Sequence, residues 1–136
     1  MRALQPLVVV LLYLAVASCT AKPTTADVVG IWRSDRGATV VLEEDGRVFF
    51  RNVPRAYLLG EGSSEPISAN GKWRLPKSTD RWNQWWDLDV DLNLDRRFST
   101  SISYWRDGGE PSLFLWRGDP DQADRIFFKR VKSDDN

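Results

Sequence analysis

Beyond Asp27, apolar and polar residues alternate with a period of two through most of the chain, the spacing expected of strands with one buried and one wet face. The clearest case is "WDLDVDLNLD", where Trp86, Leu88, Val90, Leu92 and Leu94 fall on one side and Asp87, Asp89, Asp91, Asn93 and Asp95 on the other. The next run repeats the rule, with Phe98, Thr100, Ile102 and Tyr104 inward and Ser99, Ser101 and Ser103 outward. Upstream, "VVGIWRS" reads as a first strand, Ala38, Val40 and Leu42 mark a second, and Val48 and Phe50 a third. Turn signals separate the runs: "DRG" at 35–37, "EDG" at 44–46 and "RDGGE" at 106–110, each with a glycine that accepts the positive φ of a tight turn.

Residues 55–70 form the longest expected loop, rich in glycine and serine, and "GKWRL" at 71–75 restarts the sheet. After a break at 76–83, "SLFLWR" (112–117) and "RIFFKRVK" (125–132) bring the total to about eight short antiparallel strands. An all-β fold follows, a small up-and-down barrel or strongly rolled sheet, because closing the sheet removes its exposed edges. Trp32, Phe50, Trp73, Trp86, Tyr104, Trp116 and Phe128 are the aromatic candidates for its inward face.

The first residues break this pattern. Arg2 precedes an apolar stretch from Leu7 to Ala17, followed by small residues, which is the layout of a secretory signal peptide and too short for a spanning helix of about 20 residues. Val16-Ala17-Ser18-Cys19 resembles the lipobox of bacterial lipoprotein signal peptides: an aliphatic residue, two small ones, then cysteine. The resemblance implies that residues 1–18 are removed and that Cys19 carries acyl chains holding the protein on the cell membrane or outer membrane, outside the cytoplasm. The alternative is an ordinary signal cut after Ala17, leaving Cys19 as a free thiol near the new terminus. Residues 19–26 then read as the modified cysteine and a short tether, 27–132 as the barrel domain and 133–136 as a polar tail.

Composition narrows the chemistry. The 136 residues hold one cysteine, no histidine and seven tryptophans, with 19 basic and 19 acidic side chains. Without imidazole, Ser-His-Asp and Cys-His catalysis and the usual transition-metal sites have no donors, so no enzyme, cofactor or metal is expected. A balanced charge gives no reason to expect nucleic acid.

Gly30-Ile31-Trp32 resembles the Gly-x-Trp signature of lipocalin-like barrels. In that family the tryptophan closes the barrel bottom and a late-strand arginine stacks on it; Arg130 is the best match here and Arg125 the second. The stretches Gly30 to Ala38 and Gly118 to Arg125 are also similar to a pattern in small bacterial lipoproteins. That resemblance implies location and fold, and brings no activity.

Three clusters could in principle carry chemistry. Asp119, Asp121 and Asp124 gather carboxylates in one loop, but without the spacing of a calcium loop, and an Asp-Pro turn whose side chains bond their own backbone is the simpler account. The Asp87, Asp89 and Asp91 ladder is expected to face Lys72 and Arg74 on the neighbouring strand as solvated pairs. In "RWNQWW", Trp82 and Trp85 could form an aromatic platform for a sugar ring, with barrel-end packing as the alternative. Two functions remain open: a monomeric, non-catalytic interaction module for a protein or glycan partner, or a lipocalin-like binder of a small apolar or glycan ligand.

Overall fold

The computed structural model describes residues 21–60, 62–77, 85–106, 108–118 and 124–132. Cys19, Trp82, Asp119 and Asp121 lie outside the described residues, as does the apolar N-terminal segment.

Alternation of small turns and two-faced strands produces a closed antiparallel barrel in which each strand pairs with its sequence neighbours: β1 (Gly30–Arg33), β2 (Thr39–Leu42), β3 (Arg47–Pro54), β4 (Pro66–Arg74), β5 (Trp86–Asn93), β6 (Arg97–Trp105), β7 (Ser112–Trp116) and β8 (Arg125–Arg130). The seam is closed by β8 on β1, with Trp32 opposite Arg130 and Arg33 opposite Lys129. This up-and-down barrel is the predicted fold, and it is compatible with a lipocalin-like architecture. The inward row carries the core: Trp32, Val40, Leu42, Val48, Phe50, Trp73, Leu88, Val90, Ile102, Leu113 and Phe128 are all buried.

Among the described residues two short helices close the ends, both in segments expected to be irregular or extended. At the lower end, α1 (Thr25–Val28) occupies the last part of the expected tether and the start of the expected first strand. Asp27 explains the difference, because its carboxylate accepts from the Thr24 backbone N–H at 2.8 Å and closes the helix start. The turn buries Val28, and the Val28 carbonyl accepts from Trp32 Nε1 at 2.9 Å. The Arg130 guanidinium stands 4.8 Å from the Trp32 ring and donates to the Asp27 carbonyl. Arg130, rather than Arg125, is thus the arginine stacked on Trp32, a contact worth roughly 0.5–2 kcal/mol. Gly30 has φ +144° and lies beneath the Arg130 side chain, a backbone conformation that other residues rarely adopt.

At the upper end, α2 (Arg55–Leu59) lies inside the segment expected to be a long loop, and β4 begins at Pro66 instead of Gly71. A register shift between Phe50 and Val53, with Asn52 at φ +54°, turns β3 so that Val53 stays in the core and Ala56, Tyr57 and Leu58 cover the barrel mouth. Gly60 in the left-handed region ends α2.

Candidate binding surfaces

The barrel interior is packed. Trp32, Val40, Val48, Leu88, Ile102, Leu113 and Phe128 are each 0% exposed, so at their level neither water nor a ligand finds free surface. Interior side chains that fill a small barrel leave recognition to its outside and its ends.

The clearest departure from the expected pattern is on the outer wall of β7 and β8. Leu113 and Leu115 point into the core, which turns Phe114 and Trp116 outward. Trp116, expected among the inward aromatics, therefore stands outside; the other six candidates are in the core. The reason is that "LFLW" is apolar at consecutive positions, so parity cannot be read within it, and the pairing of Phe114 with Phe127 and of Trp116 with Arg125 fixes the face.

This wall builds a second, external apolar cluster. Trp85 meets Phe114 at 5.8 Å and Trp116 at 5.6 Å between ring centroids, and Phe114 meets Phe127 at 5.5 Å. Phe114 is 1% exposed although it faces away from the core. The Arg125 guanidinium lies 5.2, 4.9 and 5.0 Å from the Phe114, Trp116 and Phe127 rings, which fixes a cation on the wall by cation–π attraction. Trp85, one of the two predicted platform tryptophans, is thus part of a packed cluster and not a free-standing ring.

At the edge of this cluster stands Asp87. Burial pushes its carboxyl above the usual carboxylate range, against the pull of hydrogen bonds from Ser103 and Trp85. Ser103 Oγ donates at 2.7 Å and is itself buried.

Comparison with known protein families, curated proteins and solved structures finds no match. The residues alone must therefore carry any functional reading.

Beside the aromatic cluster, a shallow groove of about 300 Å³ runs along the seam, lined by Arg33, Asp35, Arg36, Arg125, Phe127 and Lys129 among others. Arg33 and Lys129 are register partners, and Lys129 Nζ donates to Ser112 Oγ. Sequence patterning missed this groove because its two strands come from opposite ends of the domain.

Asp124, the described member of the predicted acidic loop, serves the fold. Asp124 Oδ1 accepts from the Tyr57 hydroxyl at 2.8 Å, and its Oδ2 lies 3.8 Å from Arg117. Arg36 reaches the same hydroxyl at 3.4 Å. Asp124 thereby latches α2 to the loop before β8. Among the described residues, no three of Asp, Glu, Cys or His stand close enough to hold a metal ion.

Two larger depressions lie elsewhere on the described surface. Over β4 and β5 a polar groove of about 570 Å³ is lined by Arg47, Lys72, Arg74, Asp91 and Arg97, and two of these four cations are paired within the wall. Arg74 pairs with Asp91 at 3.0 Å, as the ladder predicted, and Arg47 with Glu43 and Asp45 at 2.8 Å. At the barrel mouth a cleft of about 810 Å³ lies between α2, the start of β4 and the β5–β6 turn, with Leu59, Ile67, Leu94 and Phe98 beneath Arg55 and Arg96. No helix among the described residues is long and apolar enough to cross a membrane.

Proposed function

We propose that this chain is a lipid-anchored, non-catalytic interaction module of the cell envelope that binds through the outside of its barrel. The observation that carries the reading is the contrast between a packed interior and an outer wall holding aromatic rings and cations. A protein built to enclose a ligand spends its inward positions on the cavity; here those positions fill the core, and Trp85, Trp116 and Phe127 are placed outside. The lack of histidine and of any thiol beyond Cys19 supports a binding role over catalysis.

The anchor rests on Val16 to Cys19, and its test is Cys19→Ala. The variant should lose fatty-acid label and membrane partition together; label that persists would overturn the acylation reading. A second reading, a binder of a small apolar or glycan ligand, is favoured by the mouth cleft over Leu59, Ile67, Leu94 and Phe98. Its volume lies within the ordinary range of ligand pockets. Saturable changes in tryptophan emission with small ligands, abolished by Phe98→Arg and not by changes on β8, would decide for it.

A further inference from the structure

Ile31 and Phe127 are the large hydrophobic side chains left exposed among the described residues, at 44% and 38%. Both stand on the outer face of the closing seam. Arg33 faces Lys129 there, so along the seam the outer side chains run from Ile31, through the facing Arg33 and Lys129, to Phe127 and then Arg125, with Arg36 in the turn above. An apolar group thus stands on each side of a pair of cations. Like charges opposite each other on neighbouring strands destabilise a sheet. No carboxylate among the described residues forms an ion pair with Arg33, Arg36, Arg125 or Lys129. Asp35 lines the same groove, and it and Asp124 act on Arg36 from beyond ion-pair distance, so the face keeps an excess of cations beside exposed apolar side chains, a combination that is satisfied by a partner with anions in front and hydrocarbon behind.

We propose that the β1–β8 seam is a docking face for an anionic lipid surface, laying the barrel on its side against the membrane. The proposal rests on the anchored reading above and names the partner of the same wall. Cations on such a face are drawn to anionic headgroups, apolar side chains between them enter the headgroup boundary, and amphipathic rings such as Trp116 and Trp85 settle at that level. The tether allows this orientation and keeps the face close to the bilayer. Cys19 lies six residues before Thr25, a reach of ~20 Å when extended, whereas an eight-residue strand such as β5 spans ~26 Å. The lower end of the seam, where Ile31 stands, is thus kept within one barrel length of the bilayer. A closed barrel offers no free strand edge to an extended peptide, and an acidic polysaccharide would answer the cations while leaving Ile31 and Phe127 wet.

The test uses the full acylated chain reconstituted in vesicles of phosphatidylcholine alone or mixed with phosphatidylglycerol, with lipids brominated on their acyl chains as quenchers of tryptophan. The anchor is present in both preparations, so only contact of the wall changes. Quenching should be about threefold or more stronger on the anionic vesicles and should fall at high salt. It should also fall in the double variant Arg33→Glu with Lys129→Glu, and in Ile31→Ser, which keeps the charge pattern. Trp116→Phe should remove part of the signal. Equal quenching on neutral and anionic vesicles, or quenching indifferent to both wall variants, overturns the proposal. So does wall-dependent binding of soluble polygalacturonate without wall-dependent quenching, which would identify an acidic glycan as the partner. Failure of the anchor reads out separately, as a chain without fatty-acid label. If that unacylated chain is still quenched only on anionic vesicles, the docking face stands.

Discussion

Asp87 and Asp91 stand four residues apart on the same outer face of β5, yet their carboxyls shift in opposite directions. Burial at the edge of the Trp85 and Phe114 cluster raises Asp87. Hydrogen bonds from Ser99 and Arg74 hold Asp91 below the usual carboxylate range. The difference belongs to the walls rather than to the residues. Around Asp91 the outer side chains of β4, β5 and β6 are Asp, Asn, Ser, Arg and Lys open to solvent, Asp91 beside Ser99 and Arg74 across from Asp89. Over β7 and β8 the outer side chains are Phe114, Trp116, Phe127 and Arg125, packed on one another. One barrel therefore carries one wall that water completes and one that is close to a second core.

If the aromatic wall is a true second core, its central residue should behave as a core residue. Phe114→Ala should cost about 3–5 kcal/mol, the range for removing a buried phenylalanine. Ser101→Ala, exposed on the outer face of β6, should stay within about 0.5 kcal/mol of wild type. Urea denaturation with a constant slope reads both. A loss below about 1 kcal/mol for Phe114→Ala would reduce the wall to a set of independent surface rings.

The two walls also differ in how far their residues announced them. On β5 and β6 each outward residue up to Ser103 is Asp, Asn, Ser or Arg and most inward ones are large and apolar, so parity, burial and the pairing with Lys72 and Arg74 are read directly. On β4, Ile67, Ala69, Gly71 and Trp73 alternate with Ser68, Asn70 and Lys72. The small residues give too little contrast, and the first half of the strand read as loop. Gly71 is small for a physical reason: a Cβ there would lie 2.0 Å from the Asp91 carbonyl oxygen. On β7, four apolar residues in succession hide the face, and only the register with Arg125 turns Trp116 outward. The seam was least legible. Arg33 and Lys129 are ordinary strand cations in sequence, and only barrel closure sets them side by side.

The opposite shifts on β5 predict opposite pH responses. Asp87 binds its proton more tightly folded than unfolded, so its contribution is fully present below the unfolded value of about 3.9 and is lost as pH rises through the raised folded value. Asp87→Asn keeps an oxygen for Ser103 and Trp85 and removes the charge. It should therefore stabilise the protein at neutral pH and lose that advantage in acid. Asp91 is the reverse: its contribution is present above the unfolded value and disappears as pH falls through the lowered folded value. Asp91→Asn should destabilise at neutral pH and converge on wild type in acid. Denaturation midpoints measured from acid to neutral pH would test the pair, and parallel profiles for the two variants would show that the walls present the same environment.

A small effect should come from the cross-strand ion pair of the polar wall. Arg74 Nη1 and Asp91 Oδ2 are 3.0 Å apart, but the arginine side chain is 53% exposed. Water screens such a pair and both side chains lose freedom in forming it, so Arg74→Ala should cost only about 0.2–1 kcal/mol, less still at high salt. Removal of Arg125, whose charge lies among three rings, should be less sensitive to salt, because counterions do not reach between the guanidinium and the ring faces. Denaturation of Arg74→Ala and Arg125→Met at low and high salt compares the two directly. A salt-dependent loss for Arg125→Met as steep as that for Arg74→Ala would mean that the aromatic wall is as wet as the polar one.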